Sequence, residues 1–273
     1  KGKIVDIFPI ADPQPIKSAE DGTAVAVILA NTAFHAEGGG QLGDIGTLVG
    51  PTGVVTVENT KKLPDGSTVH LGVVAEGSIA VGEEVAFSVD IDRKKDIARN
   101  HTATHLLQAA LRTVLGDHVN QAGSYVGPDR LRFDFSHFAA MTPEEIKEVE
   151  DIVNRKILDA ADVEFKEESI DQAKAEGAMA LFGEKYGKVV RVVTVPGYKK
   201  ELCGGVHVNN TSHIGLFKIL SETSSGAGIR RIEAVTGKGA LSYVREQEAA
   251  LNDIAHVLKT RHGQIMERLT ALQ

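Results

Sequence analysis
Along the first ninety or so positions β-rich apolar runs alternate with polar turn signals, and a helical period of apolar residues first appears after Asp92. Short β-rich runs at Lys3 to Phe8, Thr23 to Ala30, Val54 to Asn59, Val69 to Val74 and Val85 to Val89 are separated by turn signals. Those signals are Asp21-Gly22, Gly38-Gly39-Gly40, Pro64-Asp-Gly66 and Gly82. This pattern predicts a small antiparallel β-barrel over 1–91. The composition changes at Asp92, a candidate helix N-cap. Leu106, Leu107, Ala110, Leu111, Val114 and Leu115 then recur with helical spacing until Gly116. A second helix is predicted by Thr142-Pro-Glu-Glu145, a capping box with proline at the first helical position, and by Ile146, Val149, Ile152, Val153 and Ile157.

Strands are predicted at Leu131 to Phe135, Val163 to Glu167, Val189 to Val195, Ile214 to Leu220 and Ile229 to Val235. Helices mixed with strands in this way imply an α+β fold whose second part, 92–237, is an α/β two-layer core. From Gly239 a long helix is expected, with Val244, Leu251, Leu258, Ile265 and Leu272 at strict seven-residue intervals, like a coiled-coil arm over 238–273. The positions between are less regular: Leu241, Ala255 and Leu269 alternate with Glu248 and His262, and Gly263 weakens the helix.

The strongest candidate chemistry lies in two residue pairs of equal spacing. His101 and His105 stand four apart in the first predicted helix, so both imidazoles lie on one face. Cys203 and His207 flank a glycine pair in Cys-Gly-Gly-Val-His, and Cys203 is the only cysteine of the chain. Three histidines and one thiolate would form a closed tetrahedral site suited to zinc rather than to magnesium or calcium, which prefer oxygen. Packing histidines and a small buried cysteine are the alternative. The ligand pairs are too far apart for a zinc finger, and Thr102 stands where a helical zinc protease needs its glutamate base.

A length of 273 residues, 42% of them hydrophobic, suits one large or two medium domains. No run of about 18 apolar residues and no leader-like opening occurs, so neither a membrane span nor secretion is expected. One cysteine excludes an internal disulfide, and a reducing cytoplasm would keep it available to a metal. The net charge of -7 argues against a general nucleic-acid binder. An RNA partner would need local basic patches, for which Arg93-Lys-Lys95, Lys199-Lys200 and Arg230-Arg231 are candidates. The chain lacks an initial methionine and stops inside a predicted helix, so a fragment of a longer polypeptide is expected.

The ordered motifs carry a resemblance. His101-Thr-Ala-Thr-His-Leu-Leu-Gln-Ala-Ala-Leu-Arg, His118-Val-Asn-Gln-Ala-Gly-Ser124, Leu131-Arg-Phe-Asp-Phe-Ser-His137 and Cys203-Gly-Gly-Val-His207 resemble the editing domain of bacterial alanyl-tRNA synthetases. Phe34 to Asp44, Ile214-Gly-Leu-Phe and Gly228-Ile-Arg-Arg-Ile-Glu-Ala extend the likeness over nearly the whole chain. Free-standing proofreading proteins related to this domain share both metal pairs and a Glu-Gly-Gly-Gly-Gln motif. The family commonly has Tyr where His35 stands and Asp where His213 stands.

The resemblance implies a zinc-containing editing core, with His101, His105, Cys203 and His207 as ligands. It also implies hydrolysis of the ester that joins serine, and glycine, to the terminal ribose of tRNA(Ala). A small apolar pocket separates serine from alanine by only about 10- to 200-fold, whereas a second site that hydrogen-bonds the hydroxyl spares alanine. Gln121 matches a glutamine that the family uses in editing, and its amide can both donate and accept. Thr102 is the next catalytic candidate; Thr104, Ser124 and Arg230 are candidates for substrate binding. ATP and Mg2+ would belong to an aminoacylation domain, none of whose motifs is recognisable here. The long helix would lead to an oligomerising, tRNA-binding C-terminal domain in a cytoplasmic enzyme. A free-standing deacylase and a non-catalytic, zinc-stabilised tRNA-docking module are the alternatives. Glu37 to Gln41 reads either as a loop that RNA or another backbone approaches closely or as a structural turn.

Overall fold
The computed structural model describes residues 1–12, 14–178 and 187–272. Seven strands form the first unit: β1 (Gly2–Pro9), β2 (Ser18–Glu20), β3 (Ala24–Leu29), β4 (Gly46–Val49), β5 (Gly53–Lys62), β6 (Thr68–Ala80) and β7 (Glu84–Val89). Their order is β2-β6-β3-β1-β7-β4-β5, and β5 also pairs with β6, so six strands close into a hydrogen-bonded ring with β2 appended. The strand pairings of this unit are antiparallel. Alternation puts Val55 and Val57 inside and Thr56 and Glu58 outside, and the interior joins them to Ile4, Ile7, Val25, Val27 and Leu48.

Helix α1 (Ile91–Leu115) leaves this ring directly. Its cap is Asp90, whose carboxylate accepts from the Arg93 N–H at 2.9 Å, so the expectation of Asp92 is corrected by two residues. The Asp90 N–H is itself held by the Ile45 carbonyl at 2.9 Å, a contact that local sequence does not announce. Helix α2 (Pro143–Leu158) starts at the expected capping box, with both reciprocal bonds between Thr142 and Glu145 present. Both helices pack on a four-stranded antiparallel sheet of order β13-β14-β9-β8. Its strands are β8 (Gln121–Val126), β9 (Leu131–Ser136), β13 (Phe217–Gly226) and β14 (Ile229–Thr236). Leu106, Leu107 and Leu111 of α1, Val149 and Val153 of α2, and Phe133, Phe135 and Ile232 of the sheet are fully buried. The predicted strand from Ile214 begins later, at Phe217. Residues Thr211–Ile214 form a 3-10 turn capped by the Asn210 side chain, and Ile214 is buried against the helices.

A third sheet joins β10 (Glu164–Ser169), β11 (Val189–Val195) and β12 (Lys199–Leu202), with the short α3 (Ile170–Ala175) following β10. At the C-terminus α4 (Gly237–Val257) is followed by a break and by α5 (Ile265–Thr270). One continuous heptad helix is therefore corrected to two. Lys259 takes a left-handed conformation with φ of 52°, its N–H bonds to the His256 carbonyl, and the Thr260 N–H bonds to the Ala255 carbonyl at 2.9 Å. That is a Schellman stop. The seven-residue series also lacks a common buried face, since Ile265 is buried whereas Val244, Leu251 and Leu272 are exposed. Among the described residues, no helix is long and apolar enough to cross a membrane.

Candidate metal centre
The middle of α1 is buried around most of its circumference and carries polar groups inward: Asn100, His101, Thr102, Thr104 and His105 are each under 9% exposed. Burial of such groups is tolerated only when they are bonded. Thr102 and Thr104 donate to the carbonyls of Ala98 and Asn100 one turn back. The Asn100 amide donates to the Gly127 carbonyl and accepts from the Thr236 hydroxyl. This locks the face of the helix on which His101 and His105 stand one turn apart, their ring centroids 5.2 Å from each other.

Cys203 and His207 lie in the turn that follows β12, opposite that face. The Cys203 Sγ is 3.4 Å from His101 Nε2 and 3.3 Å from His207 Nε2. One ligand atom from each of His101, His105, Cys203 and His207 lies within 4.8 Å of every other, so the four form a cluster that could hold a metal ion.

The remaining ring nitrogens are each held from outside the cluster. His101 Nδ1 bonds to Gln41 Oε1 at 2.6 Å, His207 Nδ1 to Thr102 Oγ1 at 3.2 Å, and His105 Nδ1 to the Glu201 carboxylate. With Nδ1 engaged, Nε2 is the atom presented to the centre, an arrangement typical of metal-ligating histidines. The turn is fixed as tightly. Gln41 Oε1 also accepts from the Val206 N–H at 2.9 Å, and Arg191 donates to the Gly205 carbonyl at 2.6 Å while its guanidinium lies over the Phe165 ring.

Electrostatics follow from this geometry. Burial opposes ionisation of the Cys203 thiol, but the His101 and His105 imidazoles outweigh it and hold the group well below its ordinary value. Burial pushes His207 down to about 3, so its ring is neutral at pH 7. Burial also disfavours charge on His105, yet the Glu201 carboxylate and the Cys203 sulfur raise it to about 10. Two anionic groups thus hold a positive charge at the cluster, a charge that a bound cation would supply in place of the proton.

Gln41 and Glu201 escaped the sequence reading as site residues. Gln41 closes the glycine-rich loop, and there the loop resolves to close approach of another backbone. Gly40, at φ of 84°, leaves no room for a Cβ, which would stand 2.3 Å from the Ser124 carbonyl oxygen of β8. Gln41→Ala is expected to weaken metal binding by roughly 10- to 100-fold, the usual cost of removing an outer-shell partner. A chelator competition titration measures this, and wild-type affinity in the variant would show that His101 needs no support from Gln41.

A cavity of about 480 Å³ opens beside the cluster, lined by His35, Gly38, Lys62, His101, Cys203 and Gly204 among others. The expected site residues divide around it. Thr102 is 1% exposed, and its hydroxyl is taken by Ala98, His207 and the Val208 N–H, so it supports His207 rather than lining the cavity. Thr104 is buried beneath the same helix face. Gln121, Ser124 and Arg230 lie on the four-stranded sheet, where Gln121 and Arg230 both pair with Phe135, and none of the three lines the cavity. Arg230 forms a bidentate pair with Glu222, and Arg231 another with Asp134. Lys200 pairs with Glu176.

Two family models match the chain. One is described as the Threonyl and Alanyl tRNA synthetase second additional domain, over residues 190–233, and the other as tRNA synthetases class II (A), over residues 1–93. The chain is 53% identical over 266 residues to an alanine--tRNA ligase of Acetivibrio thermocellus, an alignment covering 97% of this chain and 30% of that protein. Alanine--tRNA ligases of Lysinibacillus sphaericus and Listeria innocua are 53% and 51% identical, over 97% and 98% of this chain and 29% and 30% of their own lengths. The chain thus spans about 30% of the length of the curated relatives it matches.

Proposed function
We infer, for a chain homologous along 97% of its length to a segment of bacterial alanine--tRNA ligases, that it is the proofreading part of such an enzyme. In this reading it hydrolyses the ester of seryl-tRNA(Ala), and of glycyl-tRNA(Ala), in the cytoplasm. The observation that carries the reading is the ordered cluster of three histidines and a thiolate at the wall of an open cavity. The ligase substrates ATP and Mg2+ would be handled by the aminoacylation domain of the same polypeptide. The acceptor end of tRNA(Ala) is the partner of this segment, and a C-terminal module provides further tRNA binding and oligomerisation.

Zinc is the metal that the donor set favours, since thiolate and imidazole are poor partners for magnesium and calcium. Zinc bonds of about 2.0–2.3 Å in a tetrahedron place neighbouring ligand atoms roughly 3.3–3.6 Å apart. The two Sγ to Nε2 separations of 3.4 and 3.3 Å fit that edge. Held by His101, His105, Cys203 and His207, zinc would supply fixed charge and shape to the cavity wall. The protein's own groups then orient the substrate: an aminoacyl ester is already activated, so placement of water and support for the developing oxyanion are sufficient without a strong base. Thr102 serves this by holding His207, with Thr104, Ser124 and Arg230 proposed to shape the substrate region.

Gln121 is proposed to contribute to serine release from its place on β8, apart from the cavity. Gln121→Ala is expected to fold and to release serine about tenfold more slowly, the worth of one neutral hydrogen bond. Unchanged deacylation would remove Gln121 from the site.

The reading as a whole is tested by deacylation of seryl-tRNA(Ala) beside alanyl-tRNA(Ala). Release of serine with alanine spared is the expected result. Binding of tRNA by folded, metal-loaded protein without any deacylation would instead favour a docking module.

A further inference from the structure
Gln41 holds His101 from a loop that belongs to the barrel, the segment 30–45 between β3 and β4. The tip of the loop is a tight turn in which Gly38 and Gln41 exchange N–H to carbonyl bonds at 3.1 and 2.9 Å. Its base is closed by one residue. Asp44 Oδ2 accepts from the His35 N–H at 2.7 Å, and the Asp44 N–H donates to the His35 carbonyl at 2.8 Å. The same Oδ2 accepts from Lys94 Nζ of α1 at 2.6 Å, and the Asp44 carbonyl accepts from the Thr60 hydroxyl of β5 at 2.8 Å. Asp44 thus joins barrel, loop and helix at a point that is 1% exposed.

The spacing of the contacts on α1 gives this junction its consequence. Lys94 and His101 are seven residues apart, two helical turns and about 10.5 Å along nearly the same face. Their partners Asp44 and Gln41 are three residues apart, a backbone reach of at most about 10–11 Å. The loop therefore runs beside α1 with an ion pair at one end and His101 at the other, and with little backbone slack between them. Arg93 donates to the Gly43 carbonyl at 2.8 Å beside the ion pair. Asp44 in turn depends on Lys94. Among the described residues its other oxygen, Oδ1, is buried without a hydrogen-bond partner, so Lys94 is the cation that compensates the carboxylate. A buried carboxylate stripped of its cation is strongly destabilising where it stands.

We propose that Asp44 is a positioning residue of the metal centre: clamped by Lys94, it holds the barrel loop along α1 so that Gln41 meets His101. The proposal rests on the reading of the four-residue cluster as a metal centre, from which editing is also inferred, and it does not require hydrolysis. Among the described residues Asp44 bonds to none of the four cluster residues, so its effect on the metal passes through Gln41.

The test measures the zinc affinity of the full chain by chelator competition in Asp44→Asn, Gln41→Ala and the double variant, with Thr102→Val removing the separate support of His207. Asparagine keeps an acceptor for the His35 N–H and removes the charge that Lys94 answers. Asp44→Asn should bind zinc about fivefold more weakly, less than the roughly 10- to 100-fold of a partner that touches the ligand itself. Combined with Gln41→Ala it should fall within about twofold of Gln41→Ala alone, whereas combined with Thr102→Val it should lose the product of the two single effects. The d–d absorption of the cobalt-loaded chain should shift alike in Asp44→Asn and Gln41→Ala, a response to ligand geometry that general destabilisation does not produce. Lys94→Met should reproduce the loss, and it decides the matter if Asp44→Asn fails to fold. Wild-type zinc affinity in either variant would overturn the proposal, as would losses that multiply with Gln41→Ala or an unaltered chain that binds no zinc. Serine release by the unaltered chain, measured in parallel, separates the two ideas. Coupled zinc loss without hydrolysis leaves the positioning role standing and removes editing; hydrolysis with uncoupled affinities does the reverse.

Discussion
Cys203→Ala should leave a chain that folds but retains less than about a tenth of its metal after dialysis against a chelator, because four-ligand sites derive their affinity from the full set. The thiolate is the anionic member of the cluster itself. Without it, three imidazoles remain with ring centroids between 4.3 and 5.2 Å apart, two of them buried and His207 half-buried, to hold any cation. Ion charge is then balanced only through Glu201, one shell out, across the His105 ring. Loss of metal also removes stability by mass action. At a free metal concentration of 100 times the dissociation constant, binding contributes about 2.7 kcal/mol to the folded state. The variant should therefore melt lower than the wild type in the presence of zinc and close to it after both are stripped. Cys203→Asp, which restores an anion, should recover part of the metal. Elemental analysis with parallel melts checks this, and full occupancy in Cys203→Ala would exclude the sulfur as a ligand.

The cluster of four residues that could hold a metal was legible because each pair carries its geometry in its spacing: i and i+4 on a helix for His101 and His105, and a turn permitted by glycine for Cys203 and His207. Their supports were not, because they arrive from elsewhere in the chain. Gln41 comes from the first unit, sixty positions from the histidine it holds. Two weaker signals went unread. Glu201 stands two residues before Cys203 on an extended segment, hence on the same side. Arg191 interrupts the apolar run Val189-Val190-Arg191-Val192-Val193, and a lone charge within such a run needs a partner.

Strong local patterns located most elements and weak ones failed. The Thr142 box fixed the start of α2 because all its bonds are local, whereas Asp90 and Asp92 both suit a cap and a tertiary bond from Asp90 to Ile45 marks the true one. Strands β2, β4, β8 and β12 were missed. They are three to six residues long, and a segment such as Gln-Ala-Gly-Ser-Tyr-Val offers little alternation to detect. The heptad series failed for another reason: a seven-residue repeat records spacing without requiring the helix to continue between its members. Lys259 to Gly263 end it, through a left-handed residue and a glycine that contribute nothing to propagation.

Gly205→Ala is expected to damage the centre nearly as much as loss of Cys203, although it removes no ligand. A Cβ at this position would stand 2.0 Å from His101 Cε1, 2.5 Å from Nδ1 and 2.7 Å from Gln41 Oε1. None of these atoms is the free end of a flexible chain. The His101 ring is buried in α1 and bonded to Gln41, and Gln41 is itself 2% exposed and bonded to the Val206 N–H. Relief therefore requires the turn to lift away from the helix, against the Arg191 bond to the Gly205 carbonyl, or the imidazole to rotate off the centre. Either motion separates Cys203 Sγ from His101 Nε2. Overpacking of this kind costs about 1–3 kcal/mol before any ligand is lost. Gly204→Ala is the matched control, since its added carbon meets nothing within 4 Å, and it should keep its metal. Metal content of the two adjacent variants, purified side by side, is the measurement: loss at 205 with retention at 204 ties the centre to the close approach of the turn and helix, and equal retention in both would mean that the turn can shift without cost.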